Sequence, residues 1–365
     1  MKNKLTTALI SSLFGLGLTS VSVAQTTVSG NLDLAYNAVS SNAFGGSYRA
    51  VGRETQINIA NKGKLNNGMD YAAGFSWEID GSEALGGSAN DDSTNGANEN
   101  VYIDFFYNKD SYISVSNDHV PNSDVTITNL VGWGYLGGQG IGNKTSLYPT
   151  SLNDSGYGIG ISHNLGPVRL SGTFVPNPDK NGAAANNTAH TLTNAQDTNA
   201  NSRIEVLARG DLGVKGLDVL VAYAKQDRPT TGATIDATAK DPKGQRASLK
   251  YNFGQVTVAG DYIKAEGRNI TPTAGATTTA DHELTGKSVG IAYAITPTLS
   301  VGYTRSVAET NKSGYADEKV NHYAVGYNLG AVTLQAQYRD AKGVVGDAGA
   351  AGEGEILAVQ LSTKF

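Results

Sequence analysis

The chain has 365 residues, with 28 Lys and Arg against 33 Asp and Glu and a net charge of −5, so it lacks the basic excess that a nucleic-acid backbone demands. It contains no cysteine, which excludes disulfides and thiolate metal sites as sources of stability. With 45 Gly, 18 Tyr, 39% hydrophobic residues and, past the first residues, no apolar run near the ~20 a membrane helix needs, it is not built as a helical membrane protein.

The chain opens as an export signal. Lys2 and Lys4 form a basic start, residues 5–18 an apolar stretch, and Ser22-Val23-Ala24 a small-residue cleavage site, so residues 1–24 are predicted to be removed. Without Lys2 and Lys4, 26 basic residues remain against 33 acidic ones, a net of −7. Residues 25–365 contain no composition break that would mark a second domain.

From there the dominant signal is a period of two, the mark of strands with one apolar face. Val28, Gly30, Leu32, Leu34 and Tyr36 form the first such series; Thr55, Ile57, Ile59 and then Tyr71, Ala73, Phe75, Trp77, Ile79 follow. Between Arg49 and Arg53, near the outer rim, Gly52 is a bulge candidate. Next come Val101, Ile103, Phe105, Tyr107 and Ile113, Val115. After a long gap the pattern resumes at Tyr157, Ile159, Ile161 and at Val168, Leu170, Gly172, Phe174. Ile204, Val206, Ala208 and Leu217, Val219, Val221, Tyr223 are the next pair, then Ala247, Leu249, Tyr251 and Val256, Val258, Gly260, Tyr262. Val289, Ile291, Tyr293, Ile295 precede Leu299, Val301, Tyr303. Tyr323, Val325, Tyr327 and Val332, Leu334, Ala336, Tyr338 lead to the terminal series Leu357, Val359, Leu361, Thr363, Phe365.

Sixteen strands result, joined alternately by short turns (108–110, 163–167, 252–255, 296–298, 328–331) and long polar connections (81–98, 118–155, 175–202, 225–244, 265–286, 306–319, 340–354). Tyr71, Tyr107, Tyr251, Tyr327 and Phe365 adjoin the short turns; Tyr36, Trp77, Phe174, Tyr223, Tyr262, Tyr303 and Tyr338 fall near the long connections. Two aromatic girdles and an even number of alternating strands predict an all-β, transmembrane, up-and-down antiparallel β-barrel, with short periplasmic turns and long extracellular loops. A barrel of this size leaves room for water inside rather than a packed core.

The residues between the lipid-facing ones then line the interior. They include Gln56, Glu78 and Asp104 on the early strands, Arg169, Glu205 and Arg209 in the middle, and Arg246, Lys250, Asp261 and Arg339 later, a mixture of both charges. Asp118, His119 and Asp124 open the third long connection, whose glycines between 132 and 142 let it bend and whose Trp133 and Tyr135 are candidate anchors. Asp118 and Asp124 facing some of Arg169, Arg209 and Arg246 is the expected narrowing. Gly156, Gly158 and Gly160 alternate within a strand and read as a smooth inner wall, not as a phosphate loop. The five histidines show no metal-ligand spacing, and no catalytic residue set, cofactor motif or metal site emerges; acidic loop residues such as Asp91 and Asp92 are at most a weak Ca²⁺ rim.

The segment Ile57-Asn-Ile-Ala-Asn-Lys-Gly-Lys-Leu-Asn-Asn-Gly68 and the terminal Phe365 resemble the Gram-negative general porins: a strand followed by a Leu- and Gly-containing turn, and an aromatic carboxyl terminus offered to the barrel-insertion machinery. Gln56, Ala60 and Asn117 depart from the basic residues common at the corresponding places. The resemblance implies an outer-membrane porin of a Gram-negative bacterium: a homotrimer of water-filled barrels embedded in outer-membrane lipid, with the third loop folded into the pore, passing ions and small hydrophilic solutes without catalysis. A substrate-preferring channel, and a structural or adhesive surface barrel, are the alternative functions.

Overall fold

The computed structural model describes residues 24–41, 47–81, 97–116, 119–120, 128, 130–131, 158–176, 202–227, 241, 243–268, 282–311, 317–344 and 352–365. Residues 1–23 of the export signal, Asp118, Asp124, Trp133, Tyr135 and Gly156 lie outside the described residues.

Sixteen strands occur among the described residues. They are β1 (Gln25–Ser41), β2 (Tyr48–Lys64), β3 (Asp70–Gly81), β4 (Ala97–Asn108), β5 (Ser111–Ser116) and β6 (Gly158–Leu165). β7 (Val168–Val175), β8 (Arg203–Gly210), β9 (Leu217–Gln226), β10 (Lys243–Phe253) and β11 (Val256–Arg268) follow. β12 (His282–Ala294), β13 (Leu299–Thr310), β14 (Glu318–Asn328), β15 (Val332–Val344) and β16 (Gly352–Lys364) complete the chain. Each pairs antiparallel with its sequence neighbours, and β1 also pairs with β16, so the sheet closes into a barrel without an edge. Closure gives each strand a partner on both sides, which is what permits strands to cross a bilayer.

The side-chain alternation is that of a molecule turned inside out. Large apolar residues such as Trp77, Ile113, Leu249, Ile291, Val325 and Leu357 are solvent-exposed on the outer face, while their alternates Ser114, Ser248 and Thr304 are buried. β16 alternates strictly from Gly352 to Gln360, every second residue buried. In water such a surface would aggregate; in lipid it is the stable arrangement. On the outer face Tyr303, Tyr323 and Tyr338 stand directly opposite one another across β13, β14 and β15, with ring centroids 5.0 and 6.2 Å apart. They form an arc of the girdle on the long-connection side.

Gly52 is not a bulge: it pairs with Ala35 in an unbroken β1–β2 register, because nothing on either strand displaces the pairing. The register shifts lie instead between Gly74 and Ser76, Phe106 and Asn108, Ala265 and Arg268, and Lys342 and Val344. At the first of these, Asn100 on the facing strand adopts φ 49°, a left-handed conformation that asparagine tolerates well.

Candidate functional site

One segment identifies the inner face. His119, Val120, Thr128, Leu130 and Val131 belong to the connection between β5 and β6, and together they touch strands from β4 to β14. A single short segment reaches walls that far apart only through the interior of the barrel. The described residues of the third long connection therefore lie inside the lumen.

Its root is clamped to β4. His119 Nε2 lies 2.8 Å from Asp104 Oδ2, and its ring stacks on Tyr102 with centroids 3.6 Å apart and planes 5° from parallel. Next to it, Val120 occupies the space that a Cβ on Gly160 would need. Gly160 thus gives the loop a flat surface to lie on, since any side chain there would displace it.

Further along, Thr128 and Val131 are fixed to β12, β13 and β14. Thr128 Oγ1 and Ser288 Oγ share a hydrogen bond of 2.8 Å, and Thr304 Oγ1 donates to the Thr128 carbonyl at 2.7 Å. Val131 rests over Gly302 and Gly326, where added Cβ atoms would lie 3.0 and 3.4 Å from it. Leu130 packs against Leu207, Leu220 and Ala259 on the inner wall and, together with Val131, against Ala292 and Ala324. These inward apolar residues interrupt an otherwise polar lining because they seat the loop rather than face water. Their parity was visible in the sequence, but the meaning of an apolar residue on the wet face was not.

The inner wall carries its charges in pairs. On β10 and β11, Arg246 donates through Nε and an Nη nitrogen to both carboxylate oxygens of Asp261, at 2.9 and 2.7 Å, with both side chains buried. Ser248 also bonds Asp261. On β8 and β9, Arg209 engages Asp218 in the same two-pronged way, at 2.9 and 2.7 Å, and Lys250 Nζ on β10 approaches the same carboxylate at 3.3 Å. Arg169 donates Nε to the Asn164 side chain at 2.9 Å. Bidentate guanidinium–carboxylate contacts fix both partners in place, so these are rigid wall charges rather than waving side chains. Asp218 did not stand out in the sequence, although its place between Leu217 and Val219 gave it inward parity.

The other anticipated lining residues share this face. Gln56 stands opposite Glu78 across β2 and β3, and Glu205 opposite Thr173 across β7 and β8. Arg339 is 1% exposed, within electrostatic reach of Glu318 and opposite His322, whose Nε2 meets Gln337 Oε1 at 2.9 Å.

These charges lie at different distances from the loop's two contacts: Leu130 packs against the group that contains Leu220 and Ala259, the ladder partners of Arg209 and Lys250, whereas Val120 meets the wall further off. Gly160 pairs with Thr173, and Arg169 lies four residues closer to the short turn on the same strand. At ~3.3 Å per residue, that is about 13 Å from the level where Val120 meets the wall. Arg209 pairs directly with Arg169 and shares this low position.

A family model described as Gram-negative porin matches residues 6–346 of the chain. No curated protein sequence matches it. Among solved structures, the anion-selective porin from Comamonas acidovorans is similar at 14% identity, TM-score 0.64, covering 94% of this chain and 100% of that one. OmpTdeltaL8, a loop L8 deletion mutant of the outer-membrane protein OmpT of Vibrio cholerae, is similar at 13% identity, TM-score 0.63, covering 94% and 99%. A triple mutant of the Rhodopseudomonas blastica porin is similar at 15% identity, TM-score 0.58, covering 93% and 100%.

Proposed function

The chain belongs to the Gram-negative porin family, and from that premise we propose how its lumen is organised. It forms an outer-membrane channel for the passive diffusion of small solutes. The observation that carries the finer reading is the third connection, held on two distant walls of one closed barrel.

The held loop narrows the pore at its own level. The charged groups proposed to act there are the His119–Asp104 and Arg246–Asp261 pairs on the wall. Arg169 and Arg209 act beside the short turns, next to the wall group against which Leu130 packs. Ions pass with their hydration shells, and the balance of wall charge sets which ions enter more readily. The barrel works as a homotrimer in outer-membrane lipid, delivered by the insertion machinery through its aromatic terminus after removal of residues 1–24. It catalyses no reaction.

Single-channel recording in a planar bilayer tests this reading. Large conductance steps arriving in threes are expected. Absence of conductance from correctly folded protein overturns the channel, and steps arriving singly overturn the trimer.

A further inference from the structure

Arg169 and Arg209 face each other directly across β7 and β8 on the lumen side. Two like charges in that position repel and weaken a sheet unless something offsets them. Lys250 brings a third cation to the group. Against these three stands one carboxylate, Asp218, whose two oxygens are already taken by Arg209 and approached by Lys250. The Asn164 side chain that holds Arg169 is neutral. Of the further acids, Asp211, two residues beyond Arg209, accepts from the Gly213 amide in the exposed turn, and Asp261, diagonal to Lys250 in the ladder, is bound on both oxygens by Arg246. Glu205 is four residues further up β8. The group therefore keeps a positive excess.

It is also within reach of solute. Arg209 and Lys250 side chains are 38% and 36% exposed, unlike the buried Arg246–Asp261 pair above them. Among the described residues, Arg169 uses only Nε, so its two terminal nitrogens, the fork that matches an oxyanion, are available. All of these residues sit beside short turns: Arg169 follows Val168 at the start of β7, Asp218 follows Leu217 at the start of β9, and Arg209 precedes the last residue of β8.

We propose that Arg169, Arg209 and Lys250, sharing Asp218, form a binding station for small carboxylate- or phosphate-bearing solutes at the periplasmic mouth of the channel. The station rests on the channel reading above, and Leu130 of the third connection packs beside it, against the group that contains Leu220 and Ala259, the ladder partners of Arg209 and Lys250. An oxyanion between the two guanidinium groups offsets their repulsion and is handed to the periplasm, where the local potential is the last the solute meets. The chain's net negative charge does not oppose this, because charges beyond a Debye length of ~8 Å are screened at physiological salt.

The test uses the full channel in planar bilayers under a potassium chloride gradient, with succinate or inorganic phosphate then added to one side at a time. Anion preference is expected, with chloride current reduced by either oxyanion more strongly from one side than the other. The double variant Arg169→Gln/Lys250→Gln, checked for folding by heat-modifiable gel migration, should lower the anion-to-cation permeability ratio by about fivefold or more, the weight of a unit charge at contact distance in water. Asp218→Asn should raise that ratio, which a merely structural role for Asp218 does not predict. Block by phosphate alone, or by succinate alone, supports the station and names its solute. A conducting but cation-preferring channel, or a ratio unmoved in both variants, overturns the station and leaves the channel reading intact.

Discussion

Gly30 and Phe365 bond to each other twice: the Gly30 amide donates to the Phe365 carbonyl at 2.9 Å, and the Phe365 amide donates to the Gly30 carbonyl at 3.0 Å. The Phe365 ring lies over Gly30, so close that a Cβ there would sit 2.6 Å from the ring's Cζ. The first and last strands are thus joined to the final residue. The glycine is what lets an aromatic terminus lie flat on the lipid side of the seam.

Removing Phe365 is expected to impair assembly. It deletes two backbone hydrogen bonds, each worth about 1 kcal/mol net, and exposes the end of the β1–β16 ladder. Gly30→Leu should produce a similar defect by displacing the ring. Heat-modifiable migration of outer-membrane fractions reads both, and normal yields of folded barrel from the deletion would refute the closure role.

Loosening the third connection should change conduction without unfolding the barrel. Gly160→Val pushes Val120 off β6, and Gly302→Leu pushes Val131 off β13. Larger or noisier single-channel conductance is expected from each, with heat-modifiability retained. Traces identical to wild type would show that the anchors do not set the pore.

The Arg246–Asp261 pair should be costly to break from one side. Arg246→Met leaves a buried carboxylate without its partner, an effect of about 3–5 kcal/mol for buried pairs, whereas Arg246→Met with Asp261→Leu should recover much of the loss. Urea unfolding from detergent or lipid, compared across the two single variants and the double, gives the coupling directly.

The outer face should reject charge according to parity. Val325 points to lipid and its neighbour Ala324 to the lumen. Val325→Arg should cost about 2–4 kcal/mol if it lies near the bilayer centre. Ala324→Arg should leave lipid insertion intact and instead disturb the loop seated on it. Equal folding defects in liposomes would contradict the assigned faces.

At the long-connection end, just past β9, the Asp227 carboxyl is held below the ordinary carboxylate range, first by the Ser202 hydroxyl at 2.6 Å and then by Lys225. A depressed folded pKa means the tie contributes fully above the unfolded value near 3.9 and is lost as pH falls through the folded value. The effect on stability is small because the group is exposed. Carbon-detected NMR titration of the Asp227 carboxyl should give a midpoint below 3.9, and a midpoint at or above it would remove the tie.

Much of this architecture was legible in the residues. A strand with lipid on one side and water on the other must alternate, so Leu357 to Phe365 declared both their faces and their register, and the period of two located all sixteen strands. Inward polarity followed from the same parity, which is why Arg209, Arg246 and Asp261 could be named. Their partners could not. Parity says which face a side chain takes, and pairing depends on the stagger between strands, which brings Asp218 to Arg209 and Asp261 to Arg246.

The sequence by itself determined the class of molecule, its strand count, its two faces and its aromatic ends, because these follow from solvent contact along one dimension. Only the tertiary structure decided which strands the described part of the third connection touches, which glycines it rests on, and that Arg169 and Arg209 oppose each other across β7 and β8. Those facts depend on contacts between residues more than a hundred positions apart, such as Thr128 with Ser288, and on depth along tilted, staggered strands. Closure of the barrel fixes both, and no local pattern encodes them.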